Sequence, residues 1–66
     1  MRLISIENQH GDTVVINTEQ ICRIFEDNGS VVITTGDDVN TTTKFTNVMS
    51  AIDYIQRAPS CSLGNE

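Results

Sequence analysis

Two runs of β-favouring residues in the middle of the chain flank Asn28-Gly29. This dipeptide favours a type I′ turn, because both central positions of that turn need a positive φ. The pattern predicts a β-hairpin in which Phe25 lies opposite Val32. Ile24 and Ile33 form the neighbouring pair. The rest of the chain is interpreted around this hairpin.

Side chains alternate between the two faces of a strand, so the alternation predicts the faces of this hairpin. The face expected to meet the core carries Cys22, Ile24, Val31 and Ile33. The opposite face carries Ile21, Arg23, Phe25, Val32 and Thr34. On this alternation, Cys22 is expected to be a small buried residue of the core.

Two earlier strands are predicted by the same alternation, over residues 2–7 and 13–17. Gly11 lies in the turn between them and is the expected positive-φ residue. The register depends on the length of the loop, which the pattern leaves open. A three- or five-residue loop gives the preferred pairing, which brings together the aliphatic side chains of both strands, Ile4, Ile6, Val14 and Ile16. Asn17 or Thr18 is a candidate cap for one helical turn that follows.

A fifth strand is predicted after Gly36-Asp37-Asp38, which reads as a three-residue loop. This loop length places on the face of Ile33 the side chains of Val39, Thr41, Thr43 and Phe45. The side chains of Asn40, Thr42 and Lys44 then face solvent.

From Thr46 the apolar residues follow the period of a helix, at Val48, Ala51, Ile52 and Ile55. Thr46 or Asn47 can cap this helix, and Pro59 ends it. The sequence therefore predicts an α+β fold, an antiparallel β-meander of about five strands with one C-terminal helix packed on one face. Residues 1–58 are predicted to form a single domain, and the small polar residues 59–66 a disordered tail.

The size and charge of the chain bear on its partners. It has 66 residues, a net charge of −5 and four Lys and Arg that form no run. A chain this short buries only about 60% of its unfolded surface, so a homo-oligomer is expected to support the core. The scattered basic residues argue against nucleic acid and anionic membranes as partners and favour a protein. With no apolar run long enough to span a membrane and no signal-peptide pattern, a cytoplasmic location is expected.

Candidate residues for catalysis or metal binding are few. His10 lies in a turn without a predicted nucleophile, and Cys22 and Cys61 lie far apart without a zinc-site pattern. Asp37-Asp38 lacks the spacing of a calcium loop. The sequence therefore predicts no catalytic residue, metal site or cofactor, and the chain is expected to be non-enzymatic.

The sheet face away from the helix is expected to be half apolar, with Leu3 and Val15 on the same side as the hairpin residues. Exposed apolar patches on small domains usually mark interfaces. The residues predicted to form this interface are Ile21, Arg23, Phe25 and Val32.

The order of these signals resembles the small FlbD/SwrD flagellar family. The resemblance covers residues 3–55 and rests on turn glycines and core aliphatics, which are Gly11, Asn17, Ile21, Ile24, Gly36, Val48, Ile52 and Ile55. It implies a flagellar accessory role and transfers no catalytic residue. The chain departs from the family in its Asn-Gly-Ser turn, its Thr-rich last strand and its Pro-Ser-Cys tail. The pattern is also similar to part of the LytTR DNA-binding domain, whose basic loops this chain lacks.

These features lead to two functional hypotheses. The first is a protein–protein interaction module that self-associates through the Phe25–Val32 face or a strand edge and occupies a surface of a larger partner. A flagellar accessory protein and a phage-type inhibitor of a host protein both fit it. The alternative is an oligomer that binds or sequesters a nucleotide or another small anionic ligand between subunits, with Arg23 and Lys44 as ligand-binding residues.

Overall fold

A computed structural model describes residues 2–61 and shows an α+β fold with two antiparallel sheets and one C-terminal helix. The strands are β1 Leu3–Glu7, β2 Thr13–Asn17, β3 Ile21–Asp27, β4 Ser30–Thr35 and β5 Asn40–Thr42. A 3-10 turn, Thr18–Gln20, joins β2 to β3, and helix α1 covers Val48–Arg57. The predicted fold class, with five strands and one helix, is confirmed.

The first hairpin pairs β1 with β2 so that the aliphatic side chains of both strands share a face, as the preferred pairing predicts. Ile4 lies opposite Ile16, and Ile6 lies opposite Val14. Gly11 in the connecting turn has φ +87°, which a residue with a side chain rarely adopts. The aliphatic side chains of both strands therefore face the core together.

The central hairpin pairs β3 with β4 through the predicted two-residue turn. Asn28 has φ +53° and Gly29 has φ +80°, as a type I′ turn requires. Phe25 lies opposite Val32, and the predicted register at these positions is confirmed.

A register shift between Ile21 and Arg23 changes the start of β3. Arg23 lies opposite Thr34, yet Ile21 lies opposite Thr35, so Cys22 is the extra residue of a bulge. The extra residue reverses the alternation before it, and Ile21 packs against the core instead of facing away from the helix. Cys22 is exposed rather than buried. Both face predictions are corrected for this one reason.

The five strands form two hydrogen-bonded sheets, β1-β2 and β3-β4-β5. The predicted meander is therefore interrupted between β2 and β3, where the 3-10 turn lies. Asn17 caps this turn, because its Oδ1 accepts a hydrogen bond from the Glu19 N–H at 3.0 Å. The end of β5 approaches β1 instead, through a single bridge between Asn8 and Thr43.

The loop between β4 and β5 has the predicted length. The Thr35 N–H donates to the Val39 carbonyl at 3.0 Å, and Asp38 takes the left-handed conformation with φ +63°. Thr41 lies opposite Ile33, as predicted. Val39, however, is 50% exposed, because β5 begins only at Asn40 and Val39 lies beyond the part of the sheet that the core covers.

Helix α1 is held at both ends. The Asn47 side chain accepts a hydrogen bond from the first turn at 3.1 Å, as a predicted cap does. Glu26 on β3 also accepts one from the Val48 N–H at 3.3 Å, and Arg2 donates to the Ala58 carbonyl. A carboxylate at the N-terminus and a guanidinium at the C-terminus both interact favourably with the helix dipole.

The core contains residues from both sheets and from the helix. Its buried members are Ile4, Ile6, Ile16, Ile33, Ile55 and Ala58. After the helix, the Cys61 N–H donates to the Leu3 carbonyl at 2.6 Å. The remainder of the predicted disordered tail, residues 62–66, lies outside the described residues.

Candidate functional site

Three of the four predicted interface residues share the outer face of the three-stranded sheet. Val32 is only 5% exposed within the single chain, and Phe25 beside it is half-buried. The Arg23 guanidinium carbon lies 4.7 Å from the centre of the Phe25 ring, in a cation–π contact. This face therefore leaves little apolar surface for a partner, and Ile21 is on the other side of the sheet.

The expected continuous patch does not form. Leu3 and Val15 belong to the two-stranded sheet, whereas Phe25 belongs to the three-stranded sheet. Val15 is nevertheless 44% exposed, so part of the apolar surface that remains lies beside β2. The edges of the strands differ in how far the rest of the chain covers them.

The outer edge of β3 carries several features that discourage pairing with another strand. The strand has a bulge at Cys22, and three of its exposed residues, Arg23, Glu26 and Asp27, are charged. Bulges and charged side chains are the usual protection of edge strands. The Glu26 carboxylate is also engaged at the helix N-terminus.

The outer edge of β1 is occupied by other parts of the chain. The Leu3 carbonyl accepts from the Cys61 N–H, and the Glu7 carbonyl accepts from the Lys44 N–H at 3.2 Å. Between them, the Ser5 carbonyl accepts from the Tyr54 hydroxyl. These hydrogen bonds close the edge on the side away from β2.

Two hydrogen bonds at the ends of the β1-β2 ladder show which residues of β2 bond to β1. The Thr18 N–H donates to the Arg2 carbonyl at 2.9 Å, and the Asn8 N–H donates to the Asp12 carbonyl at 2.9 Å. Hydrogen-bonded pairs recur at every second residue of an antiparallel ladder. The even-numbered residues of β2 therefore bond to β1, and the odd-numbered residues direct their backbone groups away from it.

The open edge of β2 thus presents the backbone N–H and C=O groups of Thr13, Val15 and Asn17. Within residues 2–61, β2 is paired on one side only, in an unbroken register. Its sequence, Thr-Val-Val-Ile-Asn, has no charged residue and no proline. We call this the open edge, because none of the usual protections of an edge strand is present along it.

A cleft of about 300 Å³ lies beside the open edge. It is lined by β2 on one side and on the other by residues from the end of β4 to β5, which include Thr35, Asp37, Val39 and Thr41. Val15 and Val39, both exposed, lie at this cleft. The cleft therefore has both apolar and polar lining residues, and an unpaired strand forms one wall.

Of the described residues that line this cleft, one is charged, and it is Asp37. Its Oδ1 accepts a hydrogen bond from the Thr35 hydroxyl at 2.8 Å. This hydrogen bond, with further ones from its own backbone and from Val39, holds the pKa of the Asp37 carboxyl below its ordinary value of 3.8. Asp37 therefore presents a fixed negative charge at the cleft at neutral pH.

A larger groove of about 460 Å³ lies near the end of β1 and contains Lys44, one of the two predicted ligand-binding residues. Its Nζ pairs with Glu7 Oε1 at 2.7 Å, which offsets its charge. Phe45 and Tyr54 contact each other in this groove, with ring centres 5.4 Å apart. Arg23 is absent from the residues lining this groove, so the groove does not bring the two predicted ligand-binding residues together.

The predicted interface does not include Val39 or Asp37, because strand alternation assigned Val39 to the core face. A signal for the open edge is present in the sequence, since an uncharged, β-branched strand without proline can be read directly. The sequence does not indicate that β2 lies at the edge of a sheet, because a continuous meander would pair β2 with β3.

Among the described residues, no group of three or more His, Cys, Asp and Glu is arranged to hold a metal ion, and Cys22 and Cys61 are both free. None of the described helical segments has the length and apolar character needed to cross a membrane. Comparison of the chain with protein-family models, curated proteins and solved structures gives no match.

Proposed function

We propose that this protein is a non-enzymatic protein–protein interaction module that binds its partner along the open edge of β2. The observation that supports the proposal is the contrast between the edges. β2 offers unpaired backbone groups and an exposed Val15, whereas the edge of β1 is occupied and the edge of β3 carries charges and a bulge.

Binding along a sheet edge uses main-chain hydrogen bonds for affinity and side-chain contacts for specificity. The backbone groups of Thr13, Val15 and Asn17 supply the hydrogen bonds here. Addition of a partner strand to β2 needs no rearrangement of the core, because the inward-facing side chains of β2 are already packed. A flagellar accessory protein and a phage-type inhibitor can both act through an edge of this kind.

Affinity capture from the source organism, followed by calorimetry with the purified partner, tests the proposal. Val15→Lys adds a charge to the open edge, and natural edges use charged residues to prevent pairing. We expect this variant to bind the captured partner at least about tenfold more weakly than the unmodified chain, equivalent to roughly 1.4 kcal/mol.

Met49→Lys is the matched control. Met49 is also an exposed apolar residue, it lies on helix α1, and the substitution adds the same charge. This variant is expected to keep the affinity within about twofold. Equal affinities for Val15→Lys and the unmodified chain, with both proteins folded, would refute binding along the open edge.

A further inference from the structure

The backbone geometry of the open edge defines the form that a bound segment must take. An added antiparallel strand bonds to β2 at every second residue, so it would meet the backbone groups of Thr13, Val15 and Asn17. The cleft continues from this edge to the wall formed by Thr35 to Thr41. The bound segment is therefore extended, because it has to follow β2 along the cleft.

The side chains around the cleft define the polarity of that segment. Val14 and Ile16 of β2 face inward, and Val15 and Val39 are exposed beside the cleft. Cross-strand contacts with β-branched residues favour β-branched and aromatic neighbours. A segment with apolar β-branched residues at alternate positions matches these walls.

The charge of the cleft restricts the segment further. Asp37 carries the negative charge at the wall opposite β2, and the whole chain has a net charge of −5. A Lys or Arg side chain in the segment would be attracted to the Asp37 carboxylate and to the negative charge of the whole chain. An acidic side chain at the same position would be repelled.

The β2 strand of a second copy does not meet that requirement, because it contains no basic residue that could reach Asp37. Two chains that each carry a net charge of −5 also repel each other on approach. The charges therefore favour a different protein over pairing between two β2 strands.

We infer that the cleft binds an extended segment of a partner protein in which β-branched apolar residues alternate and one Lys or Arg lies beside Asp37. The inference rests on the proposed function and adds the chemistry of the partner. The segment becomes an extra strand next to β2, and its basic residue fixes its position along the strand.

Synthetic peptides test this inference by nuclear magnetic resonance. One probe is an octapeptide of alternating Val and Thr with a central Lys, and its match has Glu in place of Lys. We expect the Lys peptide to bind roughly three- to tenfold more tightly than the Glu peptide, the range for one exposed charge pair replaced by a repulsive one. Amide exchange at Thr13, Val15 and Asn17 should slow when the Lys peptide is bound.

Two variants assign the effect to the cleft. Asp37→Asn can keep the hydrogen bond from Thr35 and removes the charge, so the preference for Lys over Glu should fall to about one to one. Val15→Pro removes an outward N–H and should abolish binding of both peptides. A preference for Lys that survives in Asp37→Asn would overturn the inference, as would peptide-induced protection at Ile24 and Glu26 on β3 instead of at β2.

Concentration-dependent protection of the β2 amides without peptide would show that a second copy occupies the edge, which also overturns the inference. If neither peptide binds while Val15→Lys still loses the captured partner, the inference fails and the proposed function stands. If Val15→Lys also keeps the partner, both fail.

Discussion

The two edge strands β2 and β3 differ in how they meet solvent. β3 has a bulge and three charged residues, Arg23, Glu26 and Asp27. Two of these side chains make contacts within the chain, Glu26 with the helix N-terminus and Arg23 with the Phe25 ring. β2 has five residues without a charge, in regular register, and a cleft beside it. An edge strand without protection is a liability for aggregation unless it is used for binding.

This contrast changes which part of the molecule is the candidate for binding. The apolar residues of β3 and β4 are largely covered within one chain, since Val32 is buried and Phe25 lies under Arg23. The exposed apolar residues near β2 are not covered in this way. An edge without charges or a bulge, rather than the apolar character of a strand, distinguishes β2 from β3.

The largest expected effect tests the backbone phase of β2. Val14→Pro removes an N–H that bonds to β1 and should lower the free energy of unfolding by about 3 kcal/mol or more. Val15→Pro should cost clearly less, because its N–H faces the open edge, where prolines are tolerated. Urea denaturation of both variants measures the difference, and a larger loss for Val15→Pro would reverse the assignment of the open edge.

A second prediction concerns the bulge that distinguishes β3. Ile21→Ala should lower the free energy of unfolding by about 2 kcal/mol, because Ile21 packs partly buried against the core. Cys22→Ala should change it by no more than about 0.5 kcal/mol, since Cys22 is exposed. Thermal unfolding of both variants is the measurement. A larger loss for Cys22→Ala than for Ile21→Ala would show that the alternation continues without a bulge.

A third, smaller effect tests the use of a β3 charge inside the chain. Glu26→Gln weakens the contact with the Val48 N–H at the helix N-terminus and should lower the free energy of unfolding by about 0.5–1 kcal/mol. Asp27→Asn removes the same charge from the neighbouring position and serves as the control. Chemical denaturation at low salt should separate the two variants, and equal stabilities would mean that Glu26 contributes nothing to the helix.

The smallest effect concerns the charge opposite β2. The pKa of the Asp37 carboxyl should lie below 3.8, and Thr35→Val should raise it, because the Thr35 hydroxyl is the main cause of the shift. Since the folded pKa lies below the unfolded value, the stabilising contribution is complete above 3.8 and is lost as the pH falls through the folded pKa. A carbon-detected titration of the side chain measures this, and an unchanged pKa in Thr35→Val would contradict it.

Much of the architecture could be predicted because local signals act over a few residues. Asn28-Gly29 selects its turn from its own backbone preferences, and Asn47 caps the helix that follows it. The register of the central hairpin follows from its two-residue turn, and alternation identifies the aliphatic face of the first hairpin. These features depend on neighbours in sequence, so a pattern can identify them.

The candidate site could be predicted only in part. Alternation placed Phe25 and Val32 together correctly, yet it did not indicate that Arg23 covers the ring and that Val32 is buried. Val39 and Asp37 were not assigned to a binding surface, because the wall that they form faces a strand more than twenty positions earlier in the chain.

The order of residues alone specifies five strands, their turns, the register of the central hairpin and one amphipathic helix, because each depends on backbone preference and periodicity. The contacts between distant segments specify the rest. Packing of Ile21 against the core accompanies the bulge, the bridge from Asn8 to Thr43 joins the end of β5 to β1, and Glu26 reaches the helix N-terminus. The separation of β2 from β3 leaves the open edge, and periodicity carries no information about which strand has no neighbour.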